Sequence, residues 1–381
     1  MARTKKIYAT IFSALFLCLI SYSLLNDLFN FYTAPKASFT ENRFMAKKPT
    51  MELTNMDAFP MAYSNFFNDD FPFRSNLLAF NSGAIVYSFF QRSPYPALVH
   101  LGKDGWMYFA IERKFYDGSF TLTADQISQI VQELHKRAVY YTSKGIKFYL
   151  IIPLMKNEIY PEYLPPDYFR SPTGTNTDSI IAAIKKDTLI GFIDLKEPLL
   201  NAKKFGRLYY KTDNHWNFLG GFYGYTEIMN RMKKDFPSLK PLTFDDLWLV
   251  PMEIYGKNLA NIMGISKFIK EEDHYVKFKK PRAKEGILAG YIPRPDFGYP
   301  NEYEIVKVVP DTTLPKIVVI RDSFLYGIMP YLNESFSRAV YIYDTGVYAI
   351  HEEVIEKEKP DIVLDVIFEI HLHEIIGVKS K

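Results

Sequence analysis

The chain has 381 residues, 48% of them hydrophobic and 23% charged, so it can bury a large core, and it has no low-complexity tract that would argue for disorder. A formal net charge of +3, with Lys and Arg spread among nearly as many Asp and Glu, gives no electrostatic case for nucleic-acid binding. One cysteine, Cys18, excludes an intrachain disulfide and a multi-thiolate metal site.

The first predicted element is a membrane anchor over 1–27. Arg3, Lys5 and Lys6 precede an apolar run from Ile7 to Leu25, close to the roughly 20 residues that span a bilayer as helix. The basic flank predicts a cytoplasmic N-terminus and a chain lying outside. A cleaved signal peptide is the competing reading, but no convincing small-residue cleavage site follows Ile20. Residues 28–98 read as a membrane-proximal stalk and cap, with weak periodicity and many aromatics.

From 99 onward the pattern is that of an α/β domain. Gly102–Gly105 is a turn signal with a strand after it at Trp106–Phe109. Thr123 to Gly145 is an amphipathic helix, with a capping-box pair in Thr123 and Gln126 and Gly145 placed to stop it. Strands are predicted at Lys147–Ile152, Ile190–Leu195, Ile317–Ile320, Ala339–Tyr343 and Asp361–Ile370, with helices at Phe218–Met232 and His351–Lys357. Nearly continuous apolar strands alternating with helices predict a parallel sheet covered on both faces. Ligand sites in such sheets lie beyond the carboxyl ends of the strands, so polar residues just after strands are the ones to weigh.

Two segments meet that condition. Arg321-Asp322-Ser323-Phe324 follows the strand ending at Ile320. A strand–turn–helix junction exposes its Ser hydroxyl beside free helix N–H groups, as a nucleophile with a developing oxyanion requires. The plainer alternative is that Asp322 or Ser323 only caps the helix. Asp213-Asn214-His215-Trp216 follows the short run Arg207–Tyr210. A carboxylate two residues from an imidazole in extended chain shares its side, and can fix its tautomer and stabilise its charged form. The plainer alternative is a surface His beside an acid. Together the two segments hold the parts of an acyl-transfer site. No G-x-S-x-G elbow is present, which argues against an ordinary α/β-hydrolase.

These residues resemble the alginate O-acetyltransferase group, AlgX and AlgJ, and the related DHHW proteins, which carry an SGNH-hydrolase-like domain. Asp213–Trp216 is similar to the D-x-H-W motif and Arg321–Phe324 to the nucleophile block. Further blocks follow in the family's order: Glu41-Asn42-Arg43, Asn68–Arg74, Gly102–Tyr108, Pro153 with Lys156, Tyr160–Pro165, Gly256–Gly264, and Pro360–Val363 with Glu369. The resemblance implies Ser323 as nucleophile, His215 as base and Asp213 as its orienter, in a motif order permuted from that of ordinary SGNH esterases. It implies a polysaccharide acceptor outside the cytoplasm, a membrane-bound O-acyltransferase as acetyl source, and no metal or cofactor. Arg321 stands where many esterases have Gly, and Asn258 where the family often has Asp. Candidate substrate contacts are Arg321, Asn258, Trp216 and Tyr326. Trp216 is alternatively a core ring, and the Ser323 N–H is the first choice of oxyanion donor, with Asn258 a second. An acetylesterase uses the same triad, and a non-catalytic polysaccharide-binding subunit needs none. Glu369, His371 and His373 alternate as zinc ligands do, without a further evident partner.

Overall fold

The computed structural model describes residues 2–29, 45–71, 74–89, 93–295 and 297–377. Its strands are β1 (Val99–Leu101), β2 (Met107–Phe109), β3 (Lys147–Ile151), β4 (Gly191–Ile193), β5 (Leu247–Tyr255), β6 (Lys270–Phe278), β7 (Lys284–Glu285), β8 (Glu304–Val308), β9 (Lys316–Arg321), β10 (Arg338–Tyr343) and β11 (Ile362–Val366). The central sheet has the order β4-β3-β11-β9-β10-β8-β7. The first five of these run parallel, placing Ile320 of β9 between Asp365 of β11 and Ile342 of β10.

Central strands bury both faces, which is why β9 reads as an unbroken apolar run and not an alternating one. Val319 and Ile317 face a core formed with Phe222, Tyr225, Ile228 and Met229 of the helix Phe218–Asp235. Val318 and Ile320 face the opposite core, with Ile130, Leu134 and Ala138 of the helix Ala124–Ser143 and Ile180 and Ile184 of the helix Asn176–Ile184. The capping box forms as expected: the Gln126 N–H donates to Thr123 Oγ1 at 3.2 Å and the Thr123 N–H to Gln126 Oε1 at 2.9 Å. Gly145, at φ +74°, takes the left-handed conformation that ends this helix.

The structure corrects two expectations and adds an element that none foresaw. The sheet is mixed, because β8 pairs antiparallel with β10 and β7 with β8; neither of these strands has the long apolar run that marks a buried parallel strand. The last strand stops at Val366, and Glu369–Ile376 forms 3-10 turns, so Glu369, His371 and His373 do not alternate along a strand. A long ribbon of β5 and β6 was not expected, since β5 is exposed on both faces for most of its length and carries no polar–apolar alternation. The expected anchor falls on the helix Ala2–Phe29, some of whose side chains lie outside the described residues. Among the described residues no helix is long and apolar enough to cross a membrane. The segment read as a stalk holds the helices Phe59–Asp70 and Arg74–Gly83, while Glu41-Asn42-Arg43, Pro72 and Phe73 lie outside the described residues.

One ion pair crosses between layers. Arg137 Nη1 donates to Asp365 Oδ2 at 2.9 Å, with both side chains buried. Replacing Arg137 with Leu strands a sealed carboxylate next to β9. The expected loss is about 3–5 kcal/mol of unfolding free energy, read from urea denaturation.

Candidate active site

Chain geometry at the end of β9 frees one hydroxyl. Asp322 does the capping: its Oδ1 accepts the Phe324 N–H at 2.9 Å and its Oδ2 accepts the Phe368 N–H at 2.5 Å. Both oxygens are occupied and the residue is buried, so Ser323 is not needed as a cap. Ser323 opens a 3-10 turn, Ser323–Gly327, followed by the helix Met329–Asn333. It remains half-buried at the carboxyl end of the sheet.

The imidazole arrives from a different kind of element than expected. Arg207–Tyr210 is not a strand of the central sheet. Tyr209 and Trp216 form a single antiparallel bridge, closed by hydrogen bonds from the Tyr210 N–H to the His215 carbonyl at 3.2 Å and from the Asn217 N–H to the Leu208 carbonyl at 2.8 Å. Asp213 and His215 therefore sit on a tight excursion between bridged positions. The bridge turns both side chains toward Ser323. His215 Nδ1 lies 2.7 Å from Asp213 Oδ1, and His215 Nε2 lies 2.8 Å from Ser323 Oγ. A carboxylate accepts at Nδ1 only if that nitrogen carries the proton, which leaves Nε2 as the acceptor for the Ser323 hydroxyl.

Asp213 is buried. Burial opposes its charge, but the facing imidazole and the N–H groups of His215 and Asn258 outweigh it, holding the carboxyl below the usual carboxylate range. The excursion is itself held. Glu271 of β6 accepts the N–H groups of Lys211 at 2.8 Å and Thr212 at 3.3 Å, and also bonds the Thr212 hydroxyl and Arg207. The N–H groups of Leu259 and Ala260 donate to the Thr212 carbonyl at 3.0 and 3.4 Å. Lys156, fully buried, takes the remaining carbonyls of this stretch.

The three expected catalytic residues thus meet, and the four expected substrate contacts divide. Tyr326 is exposed three residues beyond Ser323, with its hydroxyl bonded to Glu302. Asn258 is exposed at the Asp213 side, and its backbone N–H donates to Asp213 Oδ2 at 3.4 Å. Trp216 is not a sugar platform: it is 1% exposed, and its indole N–H donates to the Phe324 carbonyl at 2.7 Å. Arg321 is likewise sealed. Its guanidinium lies 4.5 Å from the Tyr326 ring and 4.2 Å from the Tyr343 ring and donates to the Glu302 carbonyl at 3.0 Å. It braces the turn from behind and does not face solvent.

His371 bonds Glu374 at 2.8 Å, and His373 packs between Phe115 and Phe120. Among the described residues no group of three or more His, Cys, Asp or Glu is arranged to hold a metal ion. Sequence reasoning missed Glu271 and gave Lys156 no role. Lys156 bonds only backbone carbonyls, and Glu271 bonds two backbone N–H groups besides the Thr212 hydroxyl and Arg207, so their contacts leave little pattern in side-chain types.

The model of the family described as "SGNH hydrolase-like domain, acetyltransferase AlgX" matches residues 99–290. This chain belongs to that AlgX-type family. The match contains Asp213 and His215 and stops before Ser323, so it is the tertiary fold that brings the hydroxyl to the AlgX-type imidazole. Among solved structures, Bacillus cereus PatB1 is similar at 20% identity and TM-score 0.52, over 72% of this chain and 97% of that one. A DHHW family protein from Eubacterium siraeum is similar at 13% identity and TM-score 0.51, over 74% and 100%. The O-acetyltransferase domain of Pseudomonas putida AlgJ matches at 18% identity and TM-score 0.47, over 74% and 94%. No curated protein matches. At these identities the PatB1 and DHHW structures, both above TM-score 0.5, establish the fold and nothing finer.

Two glycines let the halves of the site meet in this domain. A Cβ on Gly221 would lie 2.0 Å from the Gly327 carbonyl oxygen, and one on Gly327 would lie 2.5 Å from Trp216 Cδ1. Gly221→Ala is expected to cost about 1–3 kcal/mol in urea unfolding, and to slow sulfonyl-fluoride labelling of Ser323, because the turn after Ser323 must shift.

Proposed function

We propose that the chain is a serine-dependent O-acetyltransferase that acetylates an extracytoplasmic polysaccharide through an acyl-enzyme on Ser323. The observation that carries this reading is the unbroken hydrogen-bond line Ser323–His215–Asp213 at 2.8 and 2.7 Å. Membership of a family described by an acetyltransferase supports the choice of acyl group.

In the first step Ser323 Oγ attacks the acetyl carbonyl of a donor ester, and its proton passes to His215 Nε2. As the acetyl–oxygen bond of the donor breaks, His215 returns that proton to the leaving oxygen. In the second step a sugar hydroxyl attacks the acetyl-serine ester and gives its proton to His215. The Ser323–acetyl bond breaks, and Ser323 Oγ recovers the proton. Asp213 holds the imidazole in one tautomer and offsets its charge in both steps. The Ser323 backbone N–H serves the oxyanion. Tyr326 and Asn258, both exposed beside the triad, contact the acceptor sugar.

The donor is an acetyl group handed over by a membrane-bound O-acyltransferase. The helix Ala2–Phe29 keeps the enzyme at the membrane, with its N-terminus cytoplasmic and the remaining chain outside. Exposed Phe12, Leu15, Phe16 and Leu17 on this helix support that placement.

The test supplies an acetylated donor and an oligosaccharide acceptor and analyses the products by mass spectrometry. The expected result is acetyl-oligosaccharide with the intact chain and none with Ser323→Ala. Asp213→Asn should lose about four orders of magnitude in kcat with its fold intact. Acetate as the sole product would make the chain an esterase. Acetyl transfer undiminished in Ser323→Ala would make it a binding subunit.

A further inference from the structure

Lys156 is fully buried at the start of the short helix Lys156–Ile159, and its Nζ makes three hydrogen bonds, all to backbone. The acceptors are the carbonyls of Tyr210 at 3.0 Å, Lys211 at 3.1 Å and Asp213 at 2.5 Å. These are three of the four carbonyls between Tyr210 and Asp213, on the excursion that delivers Asp213 and His215. An ammonium has three N–H donors and a neutral amine two. Three carbonyl acceptors are therefore matched only by the charged form. The Lys211 carbonyl also accepts the Met107 N–H at 2.8 Å, but a neutral amine would still turn its lone pair on one of three carbonyl oxygens packed around Nζ, where the ammonium presents a proton to each.

The surroundings are built for a cation. The Trp106 and Tyr108 rings lie 5.5 and 5.1 Å from Nζ and offer their electron-rich faces. The charged groups that bear on Lys156 are Glu112, Asp213 and Glu271, which favour its ammonium, and Arg207, which opposes it. Glu112 is sealed from solvent, with Lys156 and the Asn214 side chain as its favourable neighbours. No element of the acyl-transfer chemistry uses Lys156 or Glu112, and a buried Lys with no structural or chemical task would be costly.

We infer that Lys156 is a positioning residue whose ammonium holds the Asp213–His215 excursion in register with Ser323, so that activity depends on Lys156 being charged. This inference rests on the serine reading above only for its effect on turnover. The ordering of the excursion is independent of it. Burial pulls the Lys156 ammonium down to about 7 and pushes the Glu112 carboxyl up to about 8. Because the folded-state value of Lys156 is lowered, its proton is present below about 7 and leaves as pH rises through that value. The carbonyls then lose a donor on the alkaline side.

The experiment compares the intact chain, Lys156→Met, Glu271→Gln and Ser323→Ala. Two readouts are taken: hydrogen–deuterium exchange of the peptide spanning 207–217, and turnover of 4-nitrophenyl acetate across pH. Lys156→Met keeps the apolar stem between Trp106 and Tyr108 and removes every donor. It should speed exchange in 207–217 about tenfold or more while leaving the peptides of β9 and β11 unchanged. It should lower kcat about 100-fold, with KM within about threefold, since the reacting groups are misplaced and the ester pocket is not. Wild-type kcat should fall with a one-proton alkaline limb near pH 7 that is missing in Lys156→Met. Glu112 stays protonated through that limb, whereas Glu271, held below the usual carboxylate range, is ionised; Glu271→Gln leaves all three Lys156 carbonyl contacts and removes a charge that favours the ammonium, so the limb should move to lower pH.

Unchanged exchange in 207–217 with Lys156→Met overturns the inference. If that variant does not unfold cooperatively, Glu271→Gln decides: an alkaline limb at the wild-type position overturns it. Ser323→Ala with undiminished turnover would defeat the serine reading alone, and faster exchange in Lys156→Met would still uphold the positioning role.

Discussion

The indole N–H of Trp216 donates to the carbonyl of Phe324, and the two residues on either side of that bond, His215 and Ser323, are the ones that must meet. The segments are 108 positions apart in sequence, so nothing local can align them. A buried indole N–H without a partner is expensive, and this carbonyl is its acceptor. The Trp216 and Phe324 rings also meet edge to face at 5.4 Å, and Phe324 stacks on Phe368 of the segment after β11 at 4.1 Å. Register between nucleophile and base is therefore set by the neighbours of the reacting side chains, leaving the hydroxyl and imidazole free of structural duty.

A second constraint follows from the first. A chain excursion that turns Asp213 inward also buries its own backbone, and each buried N–H and C=O needs a partner. Along Tyr210–Asp213 charge is sorted by sign. The N–H groups of Lys211 and Thr212 go to the Glu271 carboxylate, and the carbonyls of Tyr210, Lys211 and Asp213 go to the Lys156 ammonium, that of Lys211 shared with the Met107 N–H. The carbonyl of Thr212 goes to the N–H groups that open the helix Asn258–Ile262. Charge-assisted bonds of this kind are shorter and stiffer than neutral ones. They explain why the ribbon of β5 and β6 and the first turn after β3 converge on a loop neither contacts in sequence.

Arg321 shows how a departure from an expected residue type is absorbed. A cation at the entry to the nucleophile turn would add charge to the site if it were exposed there. In the fold it is covered by the Tyr326 and Tyr343 rings and spends its donors on backbone carbonyls. Its charge is spread over two aromatic faces, which keeps the end of β9 fixed while Ser323 stays half-buried and reachable.

The sequence by itself determined the elements with strong local signals. The capped helix after Thr123, the apolar strands β3, β9, β10 and β11, and the candidate triad in Asp213, His215 and Ser323 were all legible, because capping pairs, unbroken apolar runs and D-x-H spacing are written in side-chain types. Tertiary structure alone decided the antiparallel edge strands, the exposed ribbon, the burial of Trp216 and Arg321, and the work of Lys156 and Glu271. Those depend on which backbone groups the fold encloses, and backbone hydrogen bonding carries no residue code. A lysine that will meet three carbonyls in the core reads, in sequence, like any lysine on the surface.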